Sequence, residues 1–340
     1  MGNYKIKVVG YFQNLAISEK NSLVDLEIEK PKLTLLHDIL VRVKAISVNP
    51  VDFKIRQGVL PKGDQPKILG WDAAGIVEDI GTAVSEFKIG DEVYYAGDIS
   101  RPGTNGENHL VDSRIVGKKP KSLDFEKAAA LPLTAITAWE IIFDRLNISK
   151  NEGGSSILVM AGAGGVGSIS IQLLKKLTSL KIIGTASRSE SIEWVQSQGA
   201  DAVINHKEPM SAQIEKLKLP PIKYIISTAS SDTYAQQFAD IIMPQGHVAL
   251  IDDPQTFDIV PFKRKSVSIH WELIFTKSLF QTDDMIEQGK LLNEVSQLID
   301  QNILHTTQKL SLGKLNAENL KKAHEILESG ASLGKITLSV

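Results

Sequence analysis

The stretch Ser155-Ser156-Ile157-Leu158-Val159-Met160-Ala161-Gly162-Ala163-Gly164-Gly165-Val166-Gly167 decides the fold. Its apolar run predicts a buried strand. The glycines at 162, 164 and 167 fit G-x-G-x-x-G, and Gly167-Ser168-Ile169-Ser170-Ile171-Gln172-Leu173-Leu174 reads as the start of a helix. The first glycine permits a tight turn, the second lets backbone approach a pyrophosphate, and the third lets helix and strand pack closely. Gly165 and Val166 lie on the same turn. The helix start then faces the phosphates with unpaired N–H groups and the positive end of its dipole. A glycine turn alone occurs in many α/β proteins; a strand before it and a helix after it point to dinucleotide binding.

The next strand, Lys181-Ile182-Ile183-Gly184-Thr185-Ala186, indicates which dinucleotide. An NAD site usually places an acidic residue at this strand's end to hold the ribose 2′-hydroxyl. This chain has Ser187-Arg188-Ser189 there. A guanidinium pairs with a 2′-phosphate, and no carboxylate stands in place to repel one, so the reading favours NADPH over NADH. The plainer alternative is that Arg188 is an ordinary loop arginine.

The length of 340 residues predicts two domains. A net charge of -2 gives no sign of a nucleic-acid partner, and the basic clusters Lys118-Lys119-Pro120-Lys121 and Lys263-Arg264-Lys265 are short enough to be solvated loops. No apolar run is long enough to span a membrane. Met1-Gly2-Asn3-Tyr4-Lys5-Ile6 lacks the pattern of a signal peptide, so a cytoplasmic location is the default expectation. The chain has no cysteine. That excludes disulfides, thiolate metal sites, iron–sulfur clusters and a cysteine nucleophile.

Strand patterns fill the first third: residues 5–11, 38–48, 75–81 and 91–96, with Gly/Asp turns between. Many short strands predict a small barrel-like β domain. Helices are expected at 125–131 and 135–146. From Ser155 onward strands alternate with helices: strands at 202–204, 223–227, 247–251 and 266–271, helices at 189–197, 211–217 and 233–243. This alternation predicts an α/β doubly wound parallel sheet. Helices at 282–299 and 317–328 and a strand at 335–340 complete the tail, which is expected to rejoin the β domain. The predicted division is residues 1–127 with 275–340 for the β domain and 128–274 for the nucleotide-binding domain, with the ligand cleft between them.

Several motifs resemble the medium-chain dehydrogenase/reductase superfamily, in its quinone oxidoreductase-like branch and the bacterial zinc-type alcohol dehydrogenase-like group. They are Asn49-Pro50-Val51-Asp52, Leu69-Gly70-Trp71-Asp72-Ala73-Ala74-Gly75, Gly90-Asp91-Glu92-Val93, Ala129-Ala130-Leu131-Pro132-Leu133-Thr134, Thr137-Ala138-Trp139 and the glycine loop. Their order covers essentially the whole chain. The resemblance implies a Rossmann domain inserted into a GroES-like β-barrel domain, NADPH use, and a homodimer. Zinc-bearing members carry an early Cys, a His-Glu pair after Leu-Gly, and a later Cys or Asp. Here the pair reads Trp71-Asp72, and the four-cysteine structural-zinc lobe is missing. The histidines at 37, 109, 206, 247, 270, 305 and 324 show no paired ligand spacing, so no zinc site is expected.

Without a Lewis acid, alcohol oxidation is hard. Hydride transfer from NADPH to an already electrophilic carbon, in a quinone or an α,β-unsaturated carbonyl, needs only donors for the developing oxyanion. The candidates come from the segment that lines the nicotinamide cleft in this family. Asn49 either donates to a substrate oxygen or makes a turn before Pro50. Lys54 either stabilises an oxyanion and gives a proton or is a surface lysine. Asp52 is expected to cap the following turn. Trp71 is either an aromatic wall for a flat substrate or core. One of Tyr94 and Tyr95 is expected to face the cleft, with Tyr94 taken as the catalytic candidate. The family implies a cofactor contact from Thr134. The turn Ile251-Asp252-Asp253 follows a sheet strand at the end where cofactor clefts form, so its backbone is expected to meet the nicotinamide, and Trp271 to Thr276 is expected as pocket wall or dimer seam. A zinc alcohol dehydrogenase and a non-enzymatic NADPH-binding sensor or structural protein remain as alternatives.

Overall fold

The computed structural model describes residues 4–340. The chain forms two compact units. One is the chain up to Leu133 together with Phe275–Val340, and the other is Thr134–Ile274.

The second unit is built on six parallel strands. Their order across the sheet is Ala202–Ile204, Ser179–Thr185, Gly153–Val159, Ile222–Ser227, Ile242–Leu250, Ser268–Trp271. The first strand in sequence is therefore central, and the winding reverses beside it, between Gly153–Val159 and Ile222–Ser227. Such a reversal opens a crevice at the strands' C-terminal ends, where ligands of doubly wound sheets bind. The strands are apolar because helices cover both faces. Leu158, Ile183, Ile225 and Val248 from four adjacent strands pack with Phe238 and Met210 of two helices, all buried.

The first unit holds two sheets that do not close into a barrel among the described residues. A seven-stranded sheet runs Gln308–Lys314, Lys335–Ser339, Asp38–Val48, Ala73–Ile80, Glu92–Tyr95, Val116–Lys118, with Asn108–Asp112 also paired to Asp38–Val48. A three-stranded sheet of Val24–Glu29, Lys5–Tyr11 and Lys67–Ile68 lies apart from it, touching through an isolated bridge between Val8 and Gly106. The predicted barrel is thus two open sheets. Short strands such as Lys67–Ile68 end pairing before a closed ladder can form.

The tail rejoins the β unit as predicted. Ile336 lies opposite Val48, and Leu338 opposite Ile46, in an antiparallel pair. Two local readings change. Residues 50–58, for which the sequence reading names no helix, form the helix Pro50–Gly58, with proline at a position whose N–H no helix needs. The helix predicted at 135–146 is an α-helix over Pro132–Trp139 followed by a π-helical turn over Glu140–Arg145, where Leu146 N–H reaches back to Ile141 O.

Candidate active site

The glycine loop is held by its neighbouring strands. Ala161 N–H donates to Thr185 Oγ1 at 3.0 Å, and Gly162 N–H to Thr185 O at 3.1 Å. Thr228 Oγ1 donates to Met160 O at 3.0 Å from the far side of the crevice. The helix Gly165–Leu177 starts with Gly164 at its N-cap. A Cβ at Gly167 would lie 2.6 Å from Ala161 O and 2.7 Å from Gly162 Cα, so helix and loop touch backbone to backbone. A Cβ at Gly164 would meet only Ala161 O, at 3.4 Å. That face is bare of side chains while first-turn N–H groups converge on it, which fits a pyrophosphate. The predicted residues Gly162, Gly164, Gly165, Val166 and Gly167 therefore form one cradle.

Ser187 and Arg188 follow the second strand directly. Arg188 is exposed, and its backbone N–H donates to Ser191 Oγ at 3.1 Å, which fixes the start of helix Ser189–Ser197. No carboxylate stands between Thr185 and Arg188. Asp252 has a second task that sequence reading missed. Its carboxylate accepts Ser231 N–H at 2.8 Å and Ser231 Oγ at 2.5 Å, capping the helix Ser231–Ile241. Asp253 beside it is exposed. Thr134 is buried at the first residue of the second unit.

The catalytic candidates are placed less uniformly. Lys54 is exposed on helix Pro50–Gly58. Tyr94 is corrected. It is fully buried and donates its hydroxyl to Leu292 O at 2.5 Å, because its strand packs on the helix Ile286–Asp300. Burial drives its pKa well up. Tyr95 is also buried, stacked on His109 at 5.5 Å. Trp71 is corrected from substrate wall to core. Its indole donates to Asp98 O at 3.1 Å and packs edge-on against Phe275.

Asn49 is corrected from free donor to part of a closed network. Its Nδ2 donates to Asp72 Oδ2 at 2.8 Å, and its Oδ1 accepts from Lys335 Nζ at 2.5 Å. Lys335 also pairs with Asp72 Oδ2 at 3.1 Å. Asp72 Oδ1 accepts Leu133 N–H at 2.8 Å. Asp52 Oδ2 accepts Asn49 N–H at 2.6 Å, as expected of a residue capping the helix start. Asn49 and Asp52 are 1% exposed, Asp72 0% and Lys335 3%, so no solvent screens these charges. Burial pushes Asp52 up to about 7 and Asp72 upward, and presses Lys335 down, while the attraction between Lys335 and Asp72 opposes the last two shifts. Lys335 escaped the sequence reading. Its only signal is a lysine opening the otherwise apolar Ile336-Thr337-Leu338 run.

By the resemblance, Trp71-Asp72 stands where zinc-bearing members carry a His-Glu pair, and its chemistry here does not fit zinc. Asp72 is already paired with an ammonium, and Trp71 offers an N–H that only donates. Among the described residues no three His, Cys, Asp or Glu side chains gather as metal ligands would.

Residues 36–121 match the alcohol dehydrogenase GroES-like domain family, and residues 165–288 the zinc-binding dehydrogenase family. A zinc-type alcohol dehydrogenase-like protein of Staphylococcus epidermidis is 37% identical, over 98% of this chain and 100% of that protein. A tomato (Solanum lycopersicum) 2-methylene-furan-3-one reductase is 31% identical over 88% of this chain and 71% of its own length. The crystal structure of a Rhizobium etli protein classed as a zinc-dependent alcohol dehydrogenase superposes with a TM-score of 0.96 at 52% identity, covering 100% of this chain and 99% of that one. With matches of this extent, and with a doubly wound nucleotide-binding sheet set into a GroES-like chain, the protein belongs to the medium-chain dehydrogenase/reductase superfamily, in its quinone oxidoreductase-like branch, and is an oxidoreductase.

Proposed function

We propose that this chain is a zinc-independent, NADPH-dependent oxidoreductase that transfers hydride to a quinone or an α,β-unsaturated carbonyl. The observation that carries the reading is the donor set at Trp71-Asp72: Asp72 is paired with the Lys335 ammonium, the Trp71 indole only donates, and among the described residues no three His, Cys, Asp or Glu side chains gather as metal ligands would. The tomato relative's name, a reductase of a methylene-furanone, supports the same acceptor class.

The bare face at Gly164 receives the pyrophosphate, and Arg188 receives the 2′-phosphate as a charge-assisted hydrogen-bond donor. When bound, NADPH would supply a hydride to the acceptor's electrophilic carbon. The electron pair displaced there would move to the carbonyl oxygen, and the ammonium of Lys54 would face that charge and give it a proton. The edge strand Ser268–Trp271, with exposed Trp271 at its end and exposed Leu273 after it, is the expected seam of a homodimer.

The test is NADPH consumption by purified protein over a panel of quinones and enones, with and without a strong chelator. Turnover that survives the chelator supports the reading. Turnover lost with chelator and restored by zinc refutes it, and NADPH binding without turnover on any acceptor favours a sensor. The Arg188→Ala variant should weaken NADPH roughly 10-fold or more and leave NADH unchanged, since a hydrogen bond to a charged group contributes about 1.5–3 kcal/mol.

A further inference from the structure

The buried charges of the first unit are not explained by the cofactor loop. The Lys335 ammonium has three acceptors: Val48 O at 2.9 Å, Asn49 Oδ1 at 2.5 Å and Asp72 Oδ2 at 3.1 Å. Its three N–H bonds are all committed. Asp72 receives Asn49 Nδ2 and Lys335 on one oxygen and Leu133 N–H on the other. The amide of Asn49 is fixed by charge: an ammonium only donates and a carboxylate only accepts, so Oδ1 must face Lys335 and Nδ2 must face Asp72. A buried ion pair is a weak source of stability, because an apolar pair of similar volume often does as well or better. Its effect here is to join segments. Asn49 caps the helix Pro50–Gly58, which carries Lys54. Leu133 directly precedes Thr134. Lys335 opens the terminal strand.

We propose that Lys335, acting through Asp72 and Asn49, is a positioning residue for the reduction. It locks the start of the Lys54 helix and the residue before Thr134 into one geometry. This rests on the reading given under Proposed function, in which Lys54 serves the acceptor and Thr134 the cofactor.

The test removes both charges at once, in Asp72→Leu/Lys335→Met, so that no lone charge is left buried. A leucine of similar volume accepts no hydrogen bond, so the N–H groups of Asn49 and Leu133 are both released. The folded variant is expected to bind NADPH within about 3-fold of wild type. Its kcat should fall roughly 10-fold or more while KM for the acceptor moves by less than about 3-fold. Hydrogen exchange in peptides covering residues 49–58 and 131–139 should quicken together by roughly 10-fold or more, with residues 153–159 unchanged. A folded double variant with kcat within about 2-fold of wild type, or with unchanged exchange in either peptide, overturns the proposal. Asp72→Asn/Lys335→Gln retains a donor to Asn49 Oδ1 with no charge left buried and should recover part of kcat. If Asp72→Leu/Lys335→Met does not fold, Asp72→Asn/Lys335→Gln decides by the same two readouts. A wild type that reduces no acceptor defeats the reading of the reaction, and the exchange measurement then still decides whether the lock exists.

Discussion

Replacing Gly164 and Gly167 separately by alanine should split cofactor binding from folding. A Cβ at Gly167 would sit 2.6 Å from Ala161 O, 2.7 Å from Gly162 Cα and 2.9 Å from Gly162 C. All three are backbone atoms, which no side-chain rotation can relieve, so loop and helix must part by several tenths of an ångström. Overpacking of this kind costs about 1–3 kcal/mol. For domains of this size each kcal/mol lowers the midpoint of melting by roughly 2–4 °C, so Gly167→Ala should melt about 2–12 °C below wild type. At Gly164 the nearest atom to a Cβ is Ala161 O at 3.4 Å, and φ is -73°, which any residue adopts. Gly164→Ala should therefore melt within about 2 °C of wild type. Its methyl group would stand on the face left for the pyrophosphate. Losing one or two charge-assisted N–H contacts there should weaken NADPH by roughly 10- to 150-fold. Differential scanning fluorimetry and NADPH fluorescence titration on the two variants give the answer. If Gly164→Ala binds NADPH as wild type does, or if it melts as low as Gly167→Ala, the assignment of the cradle is wrong.

Acid should destabilise the protein through His109. Its Nε2 lies 2.9 Å from Pro102 O, which can only accept, so Nε2 carries the hydrogen and Nδ1, 3.2 Å from Tyr95 OH, accepts. Burial holds this neutral ring's pKa down to about 4. The folded value lies below the unfolded one, near 6.5, so the unfolded chain takes up the proton first as pH falls. Stability present above about pH 6.5 is then lost toward pH 4, by of order 3 kcal/mol. Buried His324, held down to about 3, acts in the same direction, while Asp52, raised to about 7, contributes stability that is lost as pH rises through 7. Denaturant titrations of His109→Gln and wild type at pH 4.5 and 7.5 cancel those shared contributions; equal acid losses in both proteins would exclude His109. Asp252→Ala should cost about 1 kcal/mol, because it removes the cap of helix Ser231–Ile241, and should leave NADPH affinity within about 3-fold; a large loss of affinity at unchanged stability would show that its carboxylate serves the cofactor instead.

The nucleotide-binding unit was legible because its signals are local. The strand, the glycine turn and the helix start lie within a few residues of one another, and each glycine's role follows from its place in the turn. The helices at 189–197 and 317–328 fell at the observed bounds, since both have clear apolar periodicity. The helix Pro50–Gly58 was missed because its face is mixed and two buried members, Asp52 and Arg56, are charged. The barrel-like β unit was legible from its many short strands, but strand count says nothing of whether the last strand finds the first.

By itself, then, the sequence determined the doubly wound sheet, the glycine turn at the helix start, the arginine after the second strand and the absence of thiolate ligands. These are properties of short stretches, or of composition. Only the tertiary structure decided what Tyr94, Trp71, Asn49 and Asp72 do. Each is a polar or aromatic side chain whose role depends on which distant group meets it: the Leu292 carbonyl for Tyr94 and the Lys335 ammonium for Asn49 and Asp72. A buried polar group must find its partner wherever the fold brings one, and that partner leaves no mark in the neighbouring sequence.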